Sequence, residues 1–257
     1  MPMRPRNTGS FDHHYFKAID TEAKAYWLGF IMADGCVRDT VLRGAMELSI
    51  HLAGKDQSHL ERFKEAVGAV TKVHTEKSGS VRVGLRSDHL CSDLISHGCT
   101  ARKSLTLQFP NVPQPLERHL VRGYFDGDGS ACVSGGRLFV SFVGTPMFLG
   151  GVCRVLEVSN RPVSRPGCHN LTLGGKQVVR RLHGVFYADA TVWLDRKRQV
   201  WESGLVEPAL LAGNCLRCKV GYSITVGCGR ANKRYCSERC RRSTHNDRRR
   251  QLKQRCE

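Results

Sequence analysis

The chain has 257 residues, with 40 Lys+Arg against 23 Asp+Glu and a formal net charge of +17. That length excludes a disulfide miniprotein and suits one large domain or two ordinary ones. At 40% hydrophobic and 25% charged the chain is globular, not disordered, and no run of about 18 apolar residues offers a membrane span. The cationic excess favours a polyanionic partner, nucleic acid first. The start, Met1-Pro2-Met3-Arg4-Pro5-Arg6, has no apolar segment of the kind that exports a protein, so a cytoplasmic location with reduced cysteines is expected.

In chain order, hydrophobic periodicity predicts a helix over 21–34, strands over 36–42 and 45–52, and a helix over 55–67. Strands over 72–76 and 80–86 follow, and a helix over 87–97 closes the set. In 80–86, Val81, Val83 and Leu85 alternate with Arg82, Gly84 and Arg86, the pattern of a half-buried strand. A connector over 100–115 carries three prolines. The same order then repeats: helix 116–128, strands 130–134 and 137–143, helix 146–158, strands 161–165 and 170–173, helix 176–188. Hairpins between helices read as α+β with antiparallel sheets, not as alternating parallel βαβ units.

The repeat is visible in the residues themselves. Trp27-Leu28-Gly29-Phe30-Ile31-Met32-Ala33-Asp34-Gly35 is echoed by Val121-Arg122-Gly123-Tyr124-Phe125-Asp126-Gly127-Asp128-Gly129, the two final Asp-Gly pairs lying 94 residues apart. That period is the size of a domain. Gly29 and Gly123 each weaken a helix by about 0.5–1 kcal/mol relative to Ala. Such a cost is offset where two helix backbones must nearly touch. Gly35 and Gly129 suit a helix end. Asp34 and Asp128 do not: a carboxylate at the negative pole of a helix is unfavourable, and two together repel. A divalent cation reverses the sign.

These paired segments resemble the two signature motifs of the LAGLIDADG homing endonucleases, over about 11–202. Met32 stands where the motif name has its first Asp; the last Asp is present in both copies. The resemblance implies two pseudo-symmetric αββαββα halves with saddle-like antiparallel sheets, and motif helices packed at the interface between halves. It further implies Mg²⁺ held by Asp34 and Asp128, cleavage of both strands of double-stranded DNA to leave short 3′ overhangs, and action as a monomer on an asymmetric site. Basic residues at the ends of the fourth strands, Arg86 and Lys176, are candidates to stabilise phosphate charge. Antiparallel ribbons fit the major groove, so the polar members of the strands, Arg38, Thr40, Glu47, Ser49, His51, Arg82, Arg86, Arg137 and Ser141, are the candidate DNA-reading positions. Two half-sites of one turn each give a site of roughly 20 bp.

After the segment 203–213, read as a linker, the composition changes. Residues 214–257 hold 13 Lys+Arg against 3 Asp+Glu, and six of the 12 cysteines. Cys215 and Cys218, then Cys236 and Cys240, have zinc-ligand spacing, with Cys228 or His245 as possible replacements and a hairpin expected between the pairs. A segment this short lacks the core to fold unaided, which favours a structural Zn²⁺. Arg241 and Arg242 open a basic stretch suited to phosphate. The expected division is thus a first half over 1–99, a connector over 100–115, a second half over 116–202, a linker over 203–213, and a basic four-cysteine zinc-finger-like module over 214–257. Two other functions share the fold: a non-catalytic DNA-binding regulator, and a maturase whose partner is intron RNA. The intact aspartates argue against the regulator.

Overall fold

The computed structural model describes residues 7–8, 10–38, 45–206, 210–225 and 234–254; Thr40 and Cys228 lie outside them. A short strand β1 (Asn7–Thr8) precedes α1 (Glu22–Asp34), β2 (Gly35–Arg38), β3 (Glu47–Ala53), α2 (Gln57–Val67), β4 (His74–Thr75), β5 (Ser80–Ser87) and α3 (Asp88–Ser96). The second set is α4 (Gln114–Asp128), β6 (Ser130–Ser134), β7 (Arg137–Gly144), α5 (Pro146–Val155), β8 (Val163–Arg165), β9 (Cys168–Gly174) and α6 (Lys176–Tyr187). Then come α7 (Asp195–Leu205), β10 (Leu210–Asn214), β11 (Gly221–Thr225) and α8 (Glu238–Gln254). No helix among the described residues is long and apolar enough to cross a membrane.

Local chemistry sets the helix ends. The side chain of Thr21 accepts from Lys24 N, that of Ser87 from Leu90 N, and that of Thr145 from Phe148 N, each satisfying an orphan N–H of a first turn. Helix α4 starts two residues before its expected position, because Pro115 in the first turn lacks only an N–H that would have no helical partner. The helix expected over 146–158 stops at Val155, and Glu157 adopts a left-handed φ of 51°. Of the residues read as a linker over 203–213, the first three close α7 and the last four lie in β10.

The sheets have equivalent orders. The first runs β1-β5-β3-β2, with β4 also on β5, and the second runs β6-β7-β9-β8, every pairing antiparallel. In each, one face is core: Leu48, Ile50, Val81, Val83 and Leu85 in the first, and Leu138, Val140, Phe142, Leu171 and Leu173 in the second. Helices cover those faces and leave the opposite faces, with Arg82 and Arg86 or Ser141 and Thr172, free of core packing.

Helices α1 and α4 pack along each other and join the halves. A β-carbon on Gly123 would stand 1.9 Å from the Tyr26 carbonyl oxygen, so only hydrogen fits this seam. Polar ties cross it as well. The fully buried Arg122 donates across it to the Glu22 carboxylate and, within its own half, to the carbonyls of Val192 (3.0 Å) and Phe186 (2.9 Å), while Tyr26 Oη donates across it to Asp126. Helix α7, unmarked in the sequence reading, buries Trp201 against Phe125 and Phe186. It also reaches the first half: Arg196 Nε donates to Asp56 Oδ2 at 2.9 Å, and Arg62 to Asp195 Oδ2 at 3.0 Å.

Candidate active site

Asp34 and Asp128 are the last residues of α1 and α4. Asp34 is half-buried and Asp128 reaches solvent. The close seam carries them together: a β-carbon on Gly127 would lie 2.3 Å from that of Ala33 and 3.2 Å from Asp34 Oδ2. Burial, then the charge of Asp128, pushes the Asp34 carboxyl up to about 6. Burial likewise raises Asp128. Both carboxylates therefore sit where negative charge is unfavourable in the protein alone.

Cations beside them offset part of that penalty. The charges of Lys197, Lys103 and Arg196 act to lower Asp34, and those of Lys103 and Lys197 to lower Asp128. Lys103 lies on a short 3₁₀ turn, Lys103–Leu105, and donates to the Gly35 carbonyl at the foot of α1. Lys197 lies in α7 and donates to the carbonyls of Phe125 (2.7 Å), Gly127 (2.6 Å) and Gly129 (2.6 Å) at the foot of α4. A cation against the last carbonyls of a helix complements its dipole. Burial pulls the Lys197 ammonium down to about 8, against the nearby charges of Asp126, Asp34 and Asp128, which hold it up.

Lys103 and Lys197 were absent from the sequence-based candidates. Arg86 and Lys176, which were candidates, stand elsewhere: Arg86 Nε donates to Glu47 Oε2 at 3.0 Å, and Lys176 opens α6. Neither is among the cations acting on Asp34 or Asp128. Each lysine lies outside the repeated elements, Lys103 on the short turn before α4 and Lys197 in the charged first turn of α7. Nothing local shows that segments 68 residues apart in sequence meet there.

Asp126 holds Lys197 in place indirectly. Its Oδ2 accepts from Tyr26 Oη at 2.7 Å, across the seam, and from Leu194 N at 2.8 Å, just before α7. Met32 occupies the matching position of α1, so the second half has a polar anchor that the first lacks.

The DNA-reading candidates separate by half. Arg38, Glu47, Ser49, His51, Arg82 and Arg86 share the outer face of the first sheet, where Glu47 pairs with both Arg82 and Arg86. Ser49 has no exposed surface. Arg137 and Ser141 lie on the outer face of the second sheet.

In the C-terminal segment, the sulfurs of Cys215, Cys218, Cys236 and Cys240 all lie within 4.8 Å of one another. Cys218 Sγ is 3.5 Å from Cys236 Sγ, which is 3.7 Å from Cys240 Sγ. Four thiolates around zinc, each at about 2.3 Å, stand about 3.8 Å apart in a tetrahedron, so the donors fit that ion. The first pair is placed by a hairpin: β10 and β11 flank it, and Cys215 N donates to Val220 O at 3.0 Å. The hairpin thus surrounds the first pair; of the stretch between the pairs, where a hairpin is expected from the sequence, residues 226–233 lie outside the described residues. Cys236 and Cys240 frame the start of α8, which also carries Arg241 and Arg242, both paired to Glu238. His245, on the same helix, is not part of the cluster.

No family model and no curated protein matches the chain. Solved structures do. The LAGLIDADG meganuclease I-AabMI bound to uncleaved DNA has a TM-score of 0.51 at 14% identity, over 70% of this chain and 89% of that one. Meganuclease I-SmaMI bound to an uncleaveable DNA with a TTCT central four gives 0.51 at 13%, over 71% and 90%. The I-SmaMI homing endonuclease on cleaved DNA gives 0.51 at 12%, over 72% and 89%. Helix order, sheet topology and these superpositions agree: the chain has the LAGLIDADG homing-endonuclease fold.

Proposed function

We propose that this chain is a site-specific double-strand DNA endonuclease that hydrolyses phosphodiesters in a long asymmetric site, using Mg²⁺ held by Asp34 and Asp128. The supporting observation is the meeting of these two carboxylates at the foot of the α1–α4 pair, with Lys103 and Lys197 against the same helix ends. The donors fit a hard divalent ion: carboxylate oxygens, raised by burial and held at two negative helix poles, gain most from a cation. When bound, the metal supplies a lowered pKa for water and charge neutralisation at phosphorus.

The chain's own residues do the rest. Asp34 and Asp128 hold the ions. Lys103 and Lys197 present positive charge to a phosphate laid across the seam, the role that the sequence reading gave to Arg86 and Lys176. The outer sheet faces lie in the major groove and read base edges. Cys215, Cys218, Cys236 and Cys240 hold a structural Zn²⁺, and Arg241 and Arg242 on α8 add phosphate contacts. Both motifs lie in one chain, so a monomer inside the cell suffices for both cuts, with the basic module over 214–257 as a separate unit. The meganucleases with this fold were solved on DNA, which supports the substrate class.

The test is cleavage of a randomised duplex library and of DNA flanking the protein's own gene, with Mg²⁺ and with Asp34→Asn/Asp128→Asn as control. Discrete ends with a short 3′ overhang, absent in the control, support the reading. Binding without cutting points to the DNA-binding regulator, and RNA-dependent splicing assistance to the maturase.

A further inference from the structure

The strand registers allow the two recognition faces to be compared position by position. Cys36 follows the first Asp-Gly and pairs with Ser49; Ser130 follows the second and pairs with Ser141. Ser49 therefore corresponds to Ser141, Glu47 to Phe139, and His51 to Val143. Across the next ladder, Glu47 faces Arg86 and His51 faces Arg82, whereas Phe139 faces Gly174 and Val143 faces Asn170.

The centre of the first face is charged. Both Glu47 oxygens are taken, one by Arg82 and one by Arg86 Nε at 3.0 Å. Gly84 makes the space: a β-carbon there would lie 3.1 Å from Glu47 Oε1. The pairing holds two guanidinium groups side by side, and it removes the carboxylate as an acceptor for a base.

At the matching positions of the second face there is no charge. Phe139 lies across Gly174, where a β-carbon would stand 2.9 Å from the ring. Val143 and Asn170 continue the patch, and Val163, paired with Asn170, is 56% exposed. The cations of this face, Arg137 and Arg165, sit at strand ends beside turns.

We propose that the two halves read chemically opposite half-sites: guanine through the Arg82–Glu47–Arg86 fork, and A·T pairs through the Phe139–Val143–Asn170 patch. The inference rests on the DNA-binding reading above. Arginine donates bidentately to guanine O6 and N7, and apolar side chains meet the thymine methyl. Asn170 Oδ1 accepts from Thr172 Oγ1 at 2.9 Å, which orients the amide and leaves its Nδ2 to donate to adenine N7. Glu47 is a positioning residue that acts through the two arginines.

The test is selection of bound duplexes from a randomised library by the full chain with Ca²⁺ in place of Mg²⁺, followed by competition titrations on the enriched site. Guanine at fixed positions in one half and A·T pairs in the other is the expected result. The double variant Arg82→Ala/Arg86→Ala then loses about 5- to 150-fold of guanine discrimination in the first half only. Phe139→Ala relaxes only the thymine positions of the other half. Glu47→Gln weakens guanine discrimination while affinity for random DNA holds, and Glu47→Asp restores part of it; a merely structural Glu47 would change both affinities together. Thermal melts verify that each variant is folded. An enriched site of equal composition in both halves, or variants that act on both halves alike, overturns the inference while the endonuclease reading stands. Absence of any DNA binding overturns both.

Discussion

The Leu120 carbonyl oxygen occupies the place where a β-carbon on Gly29 would stand, at a separation of only 2.0 Å. Gly123 has the reciprocal relation to Tyr26. The obstacle in both cases is helix backbone, which cannot turn aside as a side chain can. Gly29→Ala therefore destabilises the fold by about 3 kcal/mol or more. Gly184 lies inside the exposed stretch of α6 with nothing near its missing β-carbon, so Gly184→Ala stabilises by about 0.5–1 kcal/mol. Thermal or urea unfolding of the two variants gives opposite signs; a neutral Gly29→Ala would disprove the close seam.

Lys197→Met keeps the aliphatic stem and removes the ammonium from three carbonyls. If the lysine stabilises phosphate charge, single-turnover cleavage falls by roughly 10²–10³-fold, with DNA affinity within a few-fold of the parent. Lys103→Met has the same effect on the other strand, so each single variant accumulates a nicked duplex of opposite sense. Labelling each strand separately reads this directly. Equal loss on both strands would assign the lysines to the scaffold.

Asp34 contributes a pH dependence of known sign. Its carboxyl titrates near 6 in the fold against 3.8 in a free chain. The folded state thus binds the proton more tightly, and the stability that this adds is present below about pH 4 and lost as pH rises through about 6. Metal-free Asp34→Asn should exceed the parent in stability by about 1–3 kcal/mol at pH 7.5 and match it at pH 4. Mg²⁺ at pH 7.5 should raise the melting temperature of the parent but not of Asp34→Asn/Asp128→Asn. A parent that melts identically with and without Mg²⁺ at saturating concentration would speak against the metal site.

One zinc per chain is expected from metal analysis of protein purified without chelator. Cys215→Ser/Cys218→Ser should lack it, and should lose DNA affinity more steeply as salt rises, because α8 and its arginines are no longer held. The core halves should melt as in the parent, since the cysteine cluster contributes nothing to their hydrophobic centre. Unchanged zinc content in the variant would sink the assignment.

The paired helices, the two hairpin sheets and their faces were legible because each depends on local alternation or on a motif repeated whole. Strand β6 has the expected bounds, and β7 runs one residue longer. Helix α7 was missed because its sequence, DRKRQVWESGL, buries only Lys197 and Trp201, too few for an apolar stripe. The catalytic candidates divided in the same way. Asp34 and Asp128 sit in the motif, but Lys103 and Lys197 acquire their place only through contacts between distant segments. Arg86 suited the role by its strand-end position, yet Glu47 across the ladder holds it on the outer face of the first sheet. The cysteine ligands were readable from spacing, whereas the hairpin around the first pair depends on strand pairing that spacing does not encode.

Because Lys197 comes from α7, the foot of α4 is completed by a stretch of chain made after both motifs and both sheets. A ribosome that has released residues only as far as Tyr187 has delivered both aspartates but not the cation that stands against Gly129. A chain of that length also lacks Trp201, which fills the core against Phe125 and Phe186, so under the proposed mechanism the second half and its cleavage site would both be incomplete. The order of synthesis would then protect the genome from a half-made nuclease.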